Sequence, residues 1–355
     1  MPQTGLLLLS RYPHLWQTFL GVAVLSGALT GCAYFLAKRA QLLPAIRERD
    51  VHTVRKPRVG GVAMWIAVVV ALVFLATGPT HALTDFGGNQ LIGILGGLCV
   101  ILITGLIDDL YDLPWWGQIT AQFLAASCLV AGGVGVPYVR VPLVGQVLFT
   151  SSVSALFTLL WTVTMINVMN FFDGLDGLAG SVTLTASVIL LIVALQFGYL
   201  STATLTIVLA GAVAGFLPWN WHPSKLFMGT VGSQLLGFML AIIAIVSGGK
   251  LATALLVLGV PVFDALIVVF RRVNAHQSPF HADLRHLHHR LLRIGLPVRG
   301  VVLLVNGVAV LFGVLALTFQ QTNTKGLLTL LLMGVILLGI GVTYALEYRT
   351  LSRVH

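Results

Sequence analysis

Residues 151–197 read SSVSALFTLLWTVTMINVMNFFDGLDGLAGSVTLTASVILLIVALQF, two uncharged apolar runs with amides and carboxylates packed between them. Each run is about as long as a bilayer-spanning helix requires. Asn170, Asp173 and Asp176 recur every third residue, so a helical or near-helical turn aims all three the same way. Gly174 and Gly177 let a ligand approach the backbone closely. A helix cap followed by a glycine-rich bend would use the same residues. Against that simpler account, carboxylates are costly at a membrane, and this chain has only 11 acidic residues.

Outward from that stretch, the composition agrees with a membrane protein. Of 355 residues 57% are hydrophobic and 9% charged, with a mean hydropathy of +0.98, which excludes a soluble globule of ordinary surface. The fold class expected is all-α, a polytopic transmembrane bundle forming a single membrane domain over residues 1–355. About eleven spans are expected, near 16–37, 60–77, 91–107, 117–134, 150–168, 178–197, 201–217, 231–247, 251–270, 299–319 and 325–346. With the N-terminus outside and the C-terminus cytoplasmic, sixteen of the 20 Lys and Arg residues fall inside and four outside. The same orientation gathers all the aspartates except Asp85 at the inner face. The net charge of +9 is then a statement about topology and anionic lipid headgroups, and nucleic acid is not an expected partner. Cys32, Cys99 and Cys128 fall in spans without a C-x-x-C pair and are read as small packing residues.

Five inner loops, near 38–59, 108–117, 168–178, 218–231 and 271–299, carry the remaining polar signals. The first ends Arg55-Lys-Pro-Arg-Val-Gly-Gly61. Its cations serve topology, or they serve a phosphate beside a backbone shaped by Pro57, Gly60 and Gly61. The second holds Asp108, Asp109 and Asp112 within one turn, where carboxylates repel unless a cation sits among them. Hard oxygen ligands of this kind suit Mg2+, or Mn2+, shared with substrate phosphates, whereas a solvated acidic helix end would need no cation. One of the pair Asp108 and Asp109 is also a candidate general base. The fourth loop contains Lys225-Leu-Phe-Met-Gly-Thr-Val-Gly-Ser233, a tight turn into a helix whose N-terminal amides can meet an anion. The fifth carries five of the ten histidines and six arginines. That richness in arginine, without a cysteine partner, argues for an anionic ligand over zinc.

Together these clusters resemble the polyprenyl-phosphate N-acetylhexosamine-1-phosphate transferase family, in the bacterial branch that acts on undecaprenyl phosphate. The resemblance rests on Pro57-Arg-Val-Gly-Gly, Asp108-Asp109-x-x-Asp112 and Asn167-x-x-Asn170-x-x-Asp173-Gly-Leu-Asp176-Gly-Leu. It continues through Phe227-Met-Gly, Pro261-x-x-Asp264, and Pro279-Phe-x-x-Asp283 leading to His286-x-His-His. It implies attack of a lipid phosphate on the sugar-linked phosphorus of a UDP-N-acetylhexosamine, with release of UMP, in a bacterial cytoplasmic membrane. It further implies Mg2+, with Mn2+ as a substitute, held by Asp108, Asp109 and Asp173. The expected catalytic residues are Asp108, Asp109, Asp173, Asp176 and His286. The expected substrate-binding residues are Arg55, Lys56, Asn170, Phe227 (stacking on uracil), Arg285, His288, His289 and Arg290. A homodimer is compatible with the resemblance, and the His-x-His-His loop resembles that of the N-acetylglucosamine branch.

One position departs from the family pattern. After Phe-Met-Gly the family has an aspartate that ligates magnesium, and this chain has Thr230. A neutral hydroxyl there lowers the expected affinity for a hard dication. The competing classes are therefore an active transferase, a binder of UDP-sugar or lipid phosphate without turnover, and a secondary transporter. Acids collected at one face, without paired broken helices at mid-membrane, disfavour the transporter.

Overall fold

The computed structural model of the protein describes residues 12–41, 55–78, 82–83, 85–247, 251–276 and 286–351. Its helices are α1 (Pro13–Arg39), α2 (Gly60–Thr77), α3 (Gly88–Tyr111), α4 (Trp115–Ala131), α5 (Ser151–Phe172), α6 (Leu178–Gln196) and α7 (Leu200–Asn220). They continue as α8 (Gly229–Val246), α9 (Leu251–Val257), α10 (Gly259–Asn274), α11 (Leu287–Arg293), α12 (Val298–Thr318) and α13 (Thr322–Leu351). Nine of the described helices are long and apolar enough to cross a membrane, and the bent pair α9 and α10 makes a tenth candidate. Helix α4, with 17 residues, stands where the remaining span is expected and lies at the short end of the spanning range. The chain is a multi-pass helical membrane protein.

Three local expectations change. The apolar stretch 251–270 is not one straight span, because α9 and α10 meet at 82°. Pro261, in the first turn of α10, has no N–H to continue the α9 ladder across the junction. An antiparallel hairpin, β1 (Tyr138–Val141) with β2 (Gly145–Leu148), interrupts the otherwise helical chain. Its β-branched residues pair Val139 with Val147, while Leu143 turns at a positive φ of 66°. Cys32 and Cys99 are exposed on the bundle surface rather than packed inside it.

The core is organised around α8. Every residue from Thr230 to Ile245 is buried, as suits a helix that is apolar on all sides and ringed by α2, α3, α5, α6, α7 and α9. Small residues permit that crowding. A Cβ at Gly61 would overlap the Gly232 backbone, and one at Gly237 would lie 2.5 Å from the Met165 carbonyl. On the far side, α1 lies on α7, where the Ser26 hydroxyl donates to the Ala212 carbonyl at 2.6 Å. Leu20, Val24, Ile92, Ile103, Leu303 and Leu338 face outward, where lipid replaces water as their surroundings. The N-terminus of α8 opens at the end of the bundle where α3 and α5 finish, so three of the motifs above meet there.

Candidate active site

Two segments 168 residues apart in sequence build the floor of the site. The Pro57 carbonyl accepts from the Phe227 amide at 2.9 Å, while the Gly60 and Gly61 amides donate to the carbonyls of Phe227 and Met228 at 3.1 and 2.8 Å. Gly60 and Gly61 are needed for this contact, since side chains there would run into Phe216 and the Gly232 backbone. Lys56 thereby reaches across, with its Nζ 5.1 Å from the centroid of the Phe227 ring and donating to Ser224 Oγ at 2.9 Å. Arg55 is exposed, and it is Arg58 that lies in electrostatic reach of both Asp109 and Asp173.

The four expected carboxylates come together, but their surroundings differ. Asp108, 3% exposed, accepts from the Leu113 amide at 3.0 Å and Gln118 Nε2 at 2.8 Å on one oxygen, and from Thr230 Oγ1 at 2.6 Å on the other. Asp109 receives the Thr230 amide on both oxygens at 3.0 Å, at the N-terminus of α8, where a helix favours negative charge. Gly229 makes that approach feasible, because its φ is +69° and a Cβ would lie 2.6 Å from Asp109 Oδ2. Asp176 is buried and accepts from the Ser224 amide at 3.0 Å, Ser224 Oγ at 2.7 Å and His222 Nδ1 at 2.9 Å, with Lys56 at 3.7 Å. Asp173 accepts no hydrogen bond from any described residue. Burial, followed by the charges of Asp109 and Asp176, pushes its carboxyl up to about 7 against the pull of Arg58. Asp112 is exposed and ends α3 in a left-handed conformation, so it does not complete the acidic trio expected there.

The histidines join from the opposite wall. Asp264, on α10, accepts from His286 Nδ1 at 2.8 Å and from the Leu287 amide at 2.9 Å, which fixes the start of α11. His286 stacks on His288 with centroids 5.6 Å apart, and His289 lies 4.2 Å from His288. His288 Nε2 sits 2.5 Å from where a Cβ on Gly174 would stand, so that glycine makes room for the imidazole beside Asp173. His288 is 1% exposed and neither ring nitrogen has a hydrogen-bond partner among the described residues. Burial holds it well below the usual histidine range, so it is neutral. Arg290 is buried against Tyr344 of α13 at 3.4 Å, and Arg271 approaches the same ring at 5.3 Å. Arg285 and the Pro279 to Asp283 motif lie outside the described residues.

Asn170 donates to Ser233 Oγ at 3.0 Å, tying α5 to the first turn of α8. Sequence reasoning missed Gln118, Asn220, His222 and Ser224. Asn220 accepts the Gly177 amide at 3.0 Å and donates to the Leu226 carbonyl at 3.1 Å, linking the Asp173-Gly-Leu-Asp176-Gly turn to the Phe227 segment. The Asn220-Trp-His-Pro-Ser224 run at a span end was the available signal, since four polar or turn-forming residues there exceed what a helix exit needs.

Among the described residues no three His, Cys, Asp or Glu side chains are placed to hold a metal ion by themselves. The donors instead fit a cation held by Asp109 and Asp173 with ligand oxygens completing its shell, because Asp173 accepts no hydrogen bond from the described residues. Asp108 and Asp176 are already engaged by protein N–H and O–H groups.

The glycosyl transferase family 4 pattern matches residues 91–248. A decaprenyl-phosphate N-acetylglucosaminephosphotransferase of Mycobacterium leprae is 37% identical over 316 residues, covering 81% of this chain and 79% of its own. The corresponding protein of Mycolicibacterium smegmatis is 36% identical, over 81% and 77% of the two chains. An undecaprenyl-phosphate alpha-N-acetylglucosaminyl 1-phosphate transferase of Thermotoga maritima is 30% identical, over 75% and 78%. With carboxylates and histidines gathered at one end of a membrane bundle, and relatives matched over most of their length, the chain belongs to the polyprenyl-phosphate N-acetylglucosamine phosphotransferases of glycosyl transferase family 4.

Proposed function

We propose that the chain transfers N-acetylglucosamine-1-phosphate from UDP-N-acetylglucosamine to undecaprenyl phosphate at the cytoplasmic face of a bacterial inner membrane. UMP is released, and the product begins a cell-surface polysaccharide. The observation that carries this reading is the meeting of Phe227, Lys56, Asp109, Asp173 and His288 at the mouth of α8. The sixteen-to-four distribution of basic residues supports a cytoplasmic position for that mouth.

In this mechanism a lipid phosphate oxygen bonds to the sugar-bearing phosphorus while the bond to the bridging oxygen breaks, and UMP leaves with that oxygen. A phosphate monoester loses its second proton near pH 6, so the nucleophile needs little help from a base, and charge neutralisation is the larger demand. Phe227, fixed through its own amide and carbonyl, offers a ring on which uracil stacks, with the Lys56 ammonium beside it. Arg58, in electrostatic reach of Asp109 and Asp173, brings positive charge to the diphosphate. This reading assigns to His288, neutral and without a hydrogen-bond partner among the described residues, a hydrogen bond to the sugar or its phosphate. Asp109 and Asp173 would hold Mg2+, which when bound neutralises charge on the pyrophosphate.

The test is UMP release from UDP-N-acetylglucosamine in the presence of undecaprenyl phosphate and Mg2+. Absence of release with every polyprenyl phosphate and UDP-N-acetylhexosamine tried, by protein that is folded, would defeat the proposal. One observation favours a second reading, a binder without turnover: Thr230 donates to Asp108 where the family pattern has a carboxylate. UDP binding without UMP release, followed by release in Thr230→Asp, would select that reading.

A further inference from the structure

The unequal satisfaction of the four aspartates has a consequence for the order in which ligands enter. A carboxylate offers about four lone-pair sites. Asp108 gives up three, to Leu113, Gln118 and Thr230, and Asp176 gives up three to Ser224 and His222. Neither can turn toward a cation without giving up these hydrogen bonds, of which those from the Thr230 hydroxyl and from the Ser224 amide and hydroxyl are buried. Thr230 is itself held, because it is 8% exposed in the first turn of α8 and its amide is fixed by Asp109. As a β-branched residue in a helix it also has few rotamers through which to swing its hydroxyl away. Two carboxylates, Asp109 and Asp173, are left for a dication.

Mg2+ and its analogues require about six oxygens in near-octahedral array and part reluctantly with water. Two carboxylates supply a minority of that shell, and no third His, Cys, Asp or Glu completes it among the described residues. The diphosphate of a nucleotide supplies the missing anionic oxygens. Resting on the transferase reading, we infer that this chain takes up its divalent cation together with a nucleoside diphosphate and not before it, because the Thr230 hydroxyl occupies Asp108. Metal and nucleotide are thus coupled ligands, and each raises the affinity for the other by the same factor.

The experiment is protein-bound Mn2+ measured by equilibrium dialysis at equal free Mn2+, with UDP, with uridine, or with neither. UDP is expected to raise retention at least about tenfold and uridine to leave it at the level without nucleotide. Thr230→Asp is expected to retain Mn2+ without nucleotide at least about tenfold better than wild type, which shrinks the UDP effect. Equal retention with and without UDP, or an equal response to uridine, overturns the inference while leaving the transferase reading intact. Failure of the folded wild-type protein to bind UDP in any condition overturns both. The wild-type comparison decides the matter even where the Thr230→Asp variant does not fold.

Discussion

The two ends of the bundle treat the same side chains differently. At the end away from the site, Asp85 and Ser201 satisfy one another, each backbone amide donating at 3.1 Å to the other's side chain. Lys325, buried there, donates to Thr253 Oγ1 at 2.8 Å and Gln320 Oε1 at 3.3 Å. Each charge is settled by neighbours on adjoining elements. At the site end, four aspartates from two helix ends and a loop are brought together, Asp108 and Asp176 each accepting three hydrogen bonds and Asp173 none from the described residues. On the transferase reading, a fold that satisfies Asp176 and leaves Asp173 without a described donor beside two other carboxylates keeps Asp173 for a ligand.

The strongest way to break this contrast is to remove one aspartate from each end. Asp173→Asn is expected to cut UMP release by on the order of 10^2- to 10^3-fold without loss of thermal stability, because the carboxylate it removes accepts no hydrogen bond from any described residue. Asp85→Asn is expected to leave turnover at the wild-type level and to cost about 1 kcal/mol in a thermal melt. Comparable turnover in the two variants would end the distinction between the ends.

Next in size is the seam that brings the site together. Gly61→Ala places a methyl in the Gly232 backbone and is expected to lower stability by about 1–3 kcal/mol or prevent accumulation of folded protein. Gly339→Ala, which meets nothing within 4 Å, is expected to melt like the wild type. Phe227→Ala is expected to weaken UDP binding by about 1–3 kcal/mol, read by calorimetry, with a smaller effect on maximal turnover.

The smallest effect is on stability against pH without metal. The folded Asp173 carboxyl titrates near 7 against 3.8 for an ordinary aspartate, so the fold binds that proton more tightly than the unfolded chain does. Its penalty is absent below the ordinary value, grows as pH rises through this window, and is full above about 7. Melting temperature should therefore fall across that range in the wild type and fall less in Asp173→Asn. A parallel pair of profiles would show that Asp173 is satisfied after all.

Much of this architecture could be read from residue order alone, for physical reasons that also mark where reading stopped. Apolar runs near 20 residues announce spans, and a helix stands at each place expected. Hydropathy is blind to direction, so the bend between Val257 and Gly259 was invisible, although Pro261 marked where hydrogen bonding would fail. Asp108, Asp109, Asp173 and Asp176 were conspicuous because acids are scarce in this chain. Which of them is saturated depends on Gln118, Ser224 and His222, single polar residues whose spacing carries no period. The effect of Thr230 was anticipated as a lost ligand, whereas its hydrogen bond to Asp108 depends on how α3 and α8 meet in space.

The buried position of α8 also bears on how the molecule comes into being. Of the helices that touch it, α2, α3, α5, α6 and α7 are all synthesised earlier and α9 follows it. Until α8 leaves the ribosome, the earlier spans share a membrane with their inward faces unmatched, including the glycine edge at Gly61 and Gly105 on which this helix packs. Assembly therefore turns on a late arrival, and the same insertion step that closes the interior brings Phe227 and Thr230 to their partners.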